Sequence, residues 1–163
     1  VPQDYKQAEA WTRKAADQGY AQAQYNLAVK YRDGQGVPQD YKQAVAWFRK
    51  AADQSSAEAQ YNLGVMYIKG QGVPQDYKQA EAWTRKAADQ SLPNAQYNLG
   101  VMYRDGKGVP QDYVQAHMWW NLAAVSGMES AIGNRNIVAE DMTPAQLAEA
   151  QKLAREWKPT PAN

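Results

Sequence analysis

The sequence predicts an all-α solenoid, a stack of helix–turn–helix repeats that ends in a capping helix. First, a turn sequence, Gly-x-Gly-Val-Pro-Gln-Asp-Tyr, starts at Gly34, Gly70 and Gly106, a constant step of 36 residues. Second, the segments between these turns carry apolar residues three and four apart, the spacing of amphipathic helices. Third, a helix of different sequence follows the last repeat. A period in this range is typical of arrays whose units bury their apolar faces against one another.

Each turn is predicted to end one helix and to begin the next. Gly34 can adopt the left-handed conformation that closes a helix, and Pro38 stops that helix from continuing. Asp40 stands at the N-cap position with Gln43 three residues later, which is a capping-box arrangement. The chain opens inside a further copy of the turn, so the predicted turns are residues 1–5, 34–41, 70–77 and 106–113.

Two kinds of helix alternate between these turns. Helix B follows each turn and is predicted to begin at Asp4, Asp40, Asp76 and Asp112. Helix A precedes the turn and is predicted over residues 21–33, 57–69 and 94–105. Four tryptophans that recur in the B helices are predicted to lie in the core: Trp11, Trp47, Trp83 and Trp119. Small residues in the middle of the A helices predict a close approach of another helix: Ala28, Gly64 and Gly100.

The two ends of the chain depart from the repeat. A divergent last unit spans residues 113–142 and includes a helix at 130–141; the capping helix follows at 143–157. Thr143 with Gln146 marks the start of that last helix, and residues 159–163 are expected to fray. We treat residues 1–163 as a single solenoid of about four and a half units.

At the other end, the first B helix has no preceding A helix in this sequence. We therefore expect Tyr5, Ala8, Trp11, Thr12 and Ala15 to be partly bare. Such an apolar face favours self-association there, or further repeats upstream.

Composition argues against several classes of function. The net charge is +1 without a basic stripe, so we predict no nucleic-acid partner. No apolar run approaches the roughly 18 residues of a membrane helix, so we predict no membrane insertion. The chain has no cysteine and a single histidine, His117, at the outward position of Glu9 and Glu81, where a surface or interface role is expected. We predict no catalytic, cofactor or metal site, and periplasmic, secreted and cytoplasmic locations all stay open.

Three motifs together resemble a known family. These are Ala-x-Ala-x-Tyr-Asn-Leu-Gly-x-x-Tyr, Gly-x-Gly-Val-x-x-Asp-Tyr-x-x-Ala and Trp-x-x-Lys-Ala-Ala. They are similar to the Sel-one-like repeat (SLR) family, a 36-residue relative of the tetratricopeptide repeat, over residues 1–127. The resemblance implies a right-handed α/α superhelix whose A helices line a concave groove, and an adaptor that binds other proteins. The chain departs from the family at Ser55 and Ser91, where glycine is usual.

The resemblance also implies which residues would contact a partner. In the tetratricopeptide relatives, an asparagine of helix A faces the groove and hydrogen-bonds the backbone of an extended peptide. An amide can donate and accept, and tyrosine adds broad contact area. The predicted groove residues are Gln22, Tyr25, Asn26, Val29, Glu58, Tyr61, Asn62, Val65, Asn94, Tyr97, Asn98 and Val101. Arg32 and Arg104 would lie at the rim. Lys30 alone lies near a carboxylate-clamp position, so no such clamp is predicted.

Alternatives stay open at this stage. The asparagines can instead bond within or between A helices, and the tyrosines can pack partly into the core. The predicted function is a protein-binding scaffold with a protein or peptide partner. The other candidates are a hydrolase, as suggested for cysteine-rich relatives, and a designed or consensus repeat protein without a partner.

Overall fold

The computed structural model describes residues 3–160, and side chains from residue 10 onward. All regular secondary structure in this part of the chain is helical, which confirms the predicted all-α class. The helices are α1 (Gln3–Asp17), α2 (Ala21–Asp33), α3 (Tyr41–Asp53), α4 (Ala57–Lys69), α5 (Tyr77–Asp89), α6 (Pro93–Asp105), α7 (Tyr113–Ala124), α8 (Glu129–Glu140) and α9 (Pro144–Glu156). Helices α2, α4 and α6 are the A helices, whereas α1, α3, α5 and α7 are the B helices. No helix within residues 3–160 is long and apolar enough to span a bilayer.

The helices pack in chain order and form a helical repeat solenoid. Each helix from α1 to α8 packs against its neighbours in sequence, and α9 lies against α7. The core between them is rich in alanine, and its large members recur with the repeat, including Leu27, Leu63 and Leu99, each fully buried. Because the interfaces from α1 to α8 join helices that are adjacent in sequence, the stability of this part of the stack is close to a sum of nearest-neighbour contributions.

The recurrent tryptophans do not all enter the core, so that prediction was wrong in part. Trp47 and Trp119 are buried, Trp83 is half-buried, and Trp11 is 68% exposed. Helix α3 packs between α2 and α4, whereas α1 packs against α2, which leaves the tryptophan of α1 open to solvent. The exposed face of α1 agrees with the expectation of a partly bare end there. The side chains of Tyr5 and Ala8 lie outside the described part, and self-association stays a prediction.

Each turn is hydrogen-bonded to the A helix that precedes it. Gly34 has φ 69° and closes α2, as predicted. The Asp40 carboxylate accepts hydrogen bonds from the amides of Lys42 and Gln43. The predicted capping box is nevertheless incomplete, because the Asp40 N–H donates to the carbonyl of Tyr31 at 2.9 Å instead of to a glutamine side chain. The N-cap therefore ties helix B to the end of helix A, and the same bond recurs in the next two turns.

The second glycine of the turn meets the preceding unit. A Cβ at Gly72 would lie 2.3 Å from the carbonyl oxygen of Tyr41, and a Cβ at Gly108 would lie 2.1 Å from that of Tyr77. Both contacts are far closer than any side chain tolerates. The backbone of each turn thus rests directly on the start of the previous B helix.

The small residues of the A helices have the predicted role. A Cβ at Gly64 would lie 2.5 Å from Thr84 Oγ1, and one at Gly100 would lie 2.4 Å from Trp120 Nε1. The same indole nitrogen donates to the carbonyl of Tyr97 at 3.1 Å. Glycine is therefore needed for the close packing of helices A and B, at the usual cost of glycine within a helix.

A row of buried glutamines, which sequence patterns did not reveal, links the units. Gln60 is 5% exposed and donates to the carbonyl of Ala52 at 3.1 Å. Its side-chain oxygen accepts from Gln90 at 2.9 Å, one unit further on. Gln24 makes the equivalent bonds with Ala16 and Gln54. These side chains are bonded on both sides, so their burial carries no unpaired polar atom.

The structure of α8 and of the start of α9 agrees closely with the sequence prediction. Thr143 and Gln146 form the predicted capping box at the start of α9, and α8 begins one residue before its predicted start. The expected fraying is wrong for residues 159–160, because the Thr160 N–H donates to the carbonyl of Asp89 at 2.7 Å. Residues 161–163 lie outside the described part. Trp157 then packs edge-on against Trp119, with ring centroids 6.2 Å apart.

We predict that Ser55→Gly stabilises the protein. Ser55 has φ 66°, a left-handed conformation that costs a residue with a Cβ about 1–2 kcal/mol. Glycine removes this cost but adds about 0.5–1 kcal/mol of chain entropy in the unfolded state, so the expected gain is about 0.5–1 kcal/mol. Urea unfolding measures it. Ser56→Gly is the matched control at φ −65°, and it should give no gain because Ser56 caps α4. An unchanged stability of Ser55→Gly would contradict the prediction.

We also predict that Gly72→Ala is more destabilising than Gly70→Ala. Both glycines have positive φ, so both variants suffer about 1–2 kcal/mol of backbone strain. Only the alanine at 72 meets a backbone carbonyl of the preceding unit; the nearest atom to an alanine at 70 would be 3.4 Å away. The extra loss should be about 1–3 kcal/mol by urea unfolding. Equal losses for the two variants would show that the units do not depend on this contact.

Candidate functional site

The predicted groove residues all lie on the A helices α2, α4 and α6. Four have exposed side chains: Gln22, Asn26, Glu58 and Asn94. The other eight are half-buried: Tyr25, Val29, Tyr61, Asn62, Val65, Tyr97, Asn98 and Val101. These positions therefore combine accessible surface with contact to the core.

One pocket of about 360 Å³ brings part of this set together. It lies between α4 and α6 and is lined by Tyr61, Val65, Ile68, Lys69, Tyr77, Asn98, Val101, Met102 and Lys107. We call it the A-helix pocket. Four predicted residues line it, namely Tyr61, Val65, Asn98 and Val101. The other eight do not.

Sequence reasoning missed the remaining walls of the A-helix pocket. Ile68 and Lys69 follow Val65 by one helical turn, so helical spacing could have added them. Tyr77 begins a B helix and Lys107 belongs to a turn. They reach the pocket because the turn backbone at Gly108 rests on Tyr77, a contact that local sequence does not reveal.

Two of the predicted asparagines already have partners in the protein. Asn62 Oδ1 accepts from Arg32 Nη1 at 2.6 Å, and its Nδ2 donates to the carbonyl of Glu58 at 2.8 Å. Asn26 Oδ1 accepts from Gln22 Nε2 at 3.1 Å. These two side chains follow the alternative in which asparagine bonds within or between A helices.

The tyrosines of the A helices differ in their surroundings. Tyr25 packs on Phe48, and the hydroxyl of Tyr97 accepts from Asn134 of α8 at 3.0 Å. Tyr61 instead lines the A-helix pocket and is hydrogen-bonded to Asn98. Burial raises the pKa of Tyr61, while the bond with Asn98 opposes this rise. Tyr61 is therefore a neutral hydroxyl at physiological pH, able to donate or accept.

The two arginines that were predicted to lie at the rim are compensated by acidic neighbours. Arg32 Nε lies 2.7 Å from Asp33, and Arg104 Nε lies 2.7 Å from Asp105. Hydrogen bonding to these guanidinium groups lowers the pKa of both aspartates. Lys107 shares Asp105 at 3.4 Å. The positive charge beside the A-helix pocket therefore comes mainly from Lys69.

His117 departs from its expected outward position. Its side chain is 4% exposed and faces α9, which packs against α7. The equivalent Val45 of α3 is also buried, so this position of helix B faces inward in more than one unit. It is thus an interface residue and not a surface residue. Among the side chains that the structure describes, residues 10–160, no group of three or more potential metal ligands is found.

The comparison with protein families identifies the repeat. The Sel1 repeat profile matches residues 1–20, 21–56, 57–92 and 93–127, which together form most of the chain. The chain belongs to the Sel1 repeat family. Sel1 repeat proteins generally mediate protein–protein interactions. No curated protein gives a significant sequence match.

Two solved structures of Sel1 repeat proteins are similar to this one. A protective antigen of uropathogenic Escherichia coli strains, with an SLR fold, is 42% identical over 93% of this chain, with a TM-score of 0.86. The chain spans 32% of that protein's length. A Sel1 repeat protein from Oxalobacter formigenes is 38% identical over 77% of this chain and 94% of its own, with a TM-score of 0.71.

We predict that His117 makes the fold less stable under mildly acidic conditions. Burial lowers the pKa of His117 below its ordinary value, and the charge of Arg135 lowers it further. Between the folded and unfolded pKa values, the unfolded chain binds more protons, so stability rises with pH. The contribution is complete above about pH 6.5 and is lost as the pH falls.

Urea unfolding of the wild type and of His117→Gln from pH 7.5 to pH 5 tests this. The wild type should lose stability relative to the variant as the pH falls. His117 is the single histidine of the chain, so no other imidazole contributes. Parallel pH profiles would show that the imidazole titrates alike in both states.

Proposed function

We propose that this chain is an adaptor that binds an extended segment of a partner protein in the A-helix pocket. The observation that carries the proposal is the open pocket between α4 and α6, which combines apolar walls with amide and hydroxyl groups. The general role of Sel1 repeats in protein interaction supports it.

The composition of the pocket fits a peptide. Val65, Ile68 and Val101 offer an apolar surface for one side chain of the partner. Tyr61 and Asn98 offer a hydroxyl and an amide to the partner backbone, without requiring a charge. A volume of about 360 Å³ is at the small end of ligand pockets, which suits one or two side chains.

The positive charge at the A-helix pocket favours a partner segment that has an acidic residue next to its apolar side chain. Lys69 and Lys107 lie at the margin of the pocket, and Lys107 is only partly compensated by Asp105. Complementary charge speeds association and fixes the register of a bound segment. We therefore propose a partner segment with an apolar anchor followed or preceded by Asp or Glu.

In this proposal, the asparagines of the A helices contribute less to partner binding than the sequence analysis predicted. Asn26 and Asn62 spend part of their hydrogen-bonding capacity on Gln22, Arg32 and Glu58. Asn98 bonds to Tyr61, and both of these side chains line the A-helix pocket, so Asn98 is the one of the three asparagines that a ligand in the pocket would meet. The alternative of a hydrolase rests on cysteine-rich relatives, and this chain has no cysteine.

We predict that Val101→Glu strongly weakens partner binding. The substitution places a carboxylate in the apolar wall of the A-helix pocket and reduces recovery of the partner by about tenfold or more. Wild type and variant serve as baits in extracts of the source organism, with recovery measured by quantitative mass spectrometry. Thermal unfolding confirms that the variant is folded.

Ala82→Glu is the matched control for this experiment. Ala82 is exposed on α5 and lies outside the A-helix pocket. The control has the same change of charge, so it should recover the partner as the wild type does. A partner recovered equally with both variants would place the binding surface elsewhere on the protein.

A further inference from the structure

A second pocket, of about 470 Å³, lies between α7, α8 and α9, away from the A-helix pocket. Its walls carry two arginines, three amides and a histidine. They are His117, Asn121, Arg135, Asn136, Ala139, Leu147, Gln151 and Arg155. Among the described residues, none of those that line it is an aspartate or a glutamate. We call it the C-terminal pocket.

Arg135 is one of the arginines whose hydrogen-bond partners are neutral groups. Arg32, Arg85 and Arg104 each have a carboxylate oxygen within 2.7 Å. Arg135 instead donates to Asn121 Oδ1 at 3.0 Å and to Asn136 Oδ1 at 3.1 Å. These neutral acceptors orient the guanidinium without neutralising it. The charge therefore stays available to a ligand.

His117 adds a buried polar group without a partner. The side chain is 4% exposed, and its Nδ1 is enclosed and makes no hydrogen bond in the described structure. Buried polar atoms in native proteins normally have a partner, and an unpaired one at the wall of a pocket points to a missing ligand or water. Burial and the positive charge of Arg135 lower the pKa of this ring, so an anion bound beside it would raise that pKa.

We propose that the C-terminal pocket binds a carboxylate between Arg135 and Arg155. A planar carboxylate matches the forked donors of a guanidinium, which gives a charge-assisted and directional contact. Gln151 lies on the same wall and can donate through its amide, while Ala139 and Leu147 cover the body of the ligand. This site is independent of the proposed adaptor function.

The surroundings favour a carboxylate over a phosphate. Phosphate sites commonly use the free N–H groups at the start of a helix. Leu147 ends the first turn of α9, but its N–H donates to the carbonyl of Thr143 at 3.0 Å. The other lining residues lie further along α7, α8 and α9, so no free N–H of a helix start lines the pocket. The donors on the walls are all side chains, and a planar carboxylate fits the fork of a guanidinium. Such a carboxylate belongs either to a small free acid or to the end of a polypeptide chain.

The single histidine makes the test direct, because the His117 ring gives one set of imidazole resonances in NMR spectra. The full chain is titrated with acetyl-alanyl-alanine, with the amide of that peptide, with succinate and with inorganic phosphate. We expect the free acids to shift the His117 signals saturably and to raise the pKa of the imidazole. The amide should not do so, and phosphate should bind more weakly. The tighter of the two acids identifies a chain end or a small free acid as the ligand.

Matched variants locate the site. Arg155→Gln should weaken binding by about tenfold, the effect of losing one charge-assisted contact. Arg135→Gln should weaken it at least as much. Lys152→Gln removes the same charge from α9 outside the pocket, so its affinity should stay unchanged. Val101→Glu should also bind normally, which separates this site from the A-helix pocket.

Four results would overturn the proposal. The free acids would leave the His117 signals unmoved, or the amide would move them equally. Phosphate would bind as tightly as the carboxylates, or Lys152→Gln would weaken binding as much as Arg155→Gln. Each of these outcomes would show that the pocket is not a carboxylate site.

Discussion

The contact between the second turn glycine and the start of the previous B helix sets the geometry of the whole stack. At Gly108 the backbone lies so close to the carbonyl of Tyr77 that a methyl group would be 2.1 Å from it. This contact fixes the distance between adjacent units before any side chain is considered. It also brings Lys107 and Tyr77 to the same pocket, although thirty positions separate them in the chain. The A-helix pocket is therefore a product of the turn as much as of the helices.

Buried polar groups determine which helix surfaces pack together, in addition to the apolar core. The core is mostly alanine, so the helices come close together and few large side chains specify which surfaces meet. Specificity comes from groups that must be bonded when buried, such as Gln60 between Ala52 and Gln90. A shifted register would leave these amides without partners, which costs free energy in a dry interface. The arginine–tyrosine bond between Arg85 and Tyr103 links an A helix to a B helix in the same manner.

The sequence was sufficient for the features that depend on local chemistry. The start of α9 at Thr143, the left-handed turn at Gly34 and the close approach at Gly64 all follow from residue types at known spacings. The features that depend on contact between units were missed. Trp11 has the same local sequence as Trp83, yet it is far more exposed, because burial depends on which helices pack around it. For the same reason, local spacing did not place His117 beneath α9.

The bonds between units all span a constant number of residues, and this has a genetic consequence. The glutamine bonds join residues 30 apart, and the arginine–tyrosine bonds join residues 18 apart, in every unit where they occur. A deletion or duplication of one whole 36-residue unit would bring together new neighbours that carry the same partners. Near-identical copies also invite unequal crossing-over in the gene. Such a chain can therefore change its length in evolution by single recombination events among its near-identical units, while the glutamine and arginine–tyrosine bonds between units are kept.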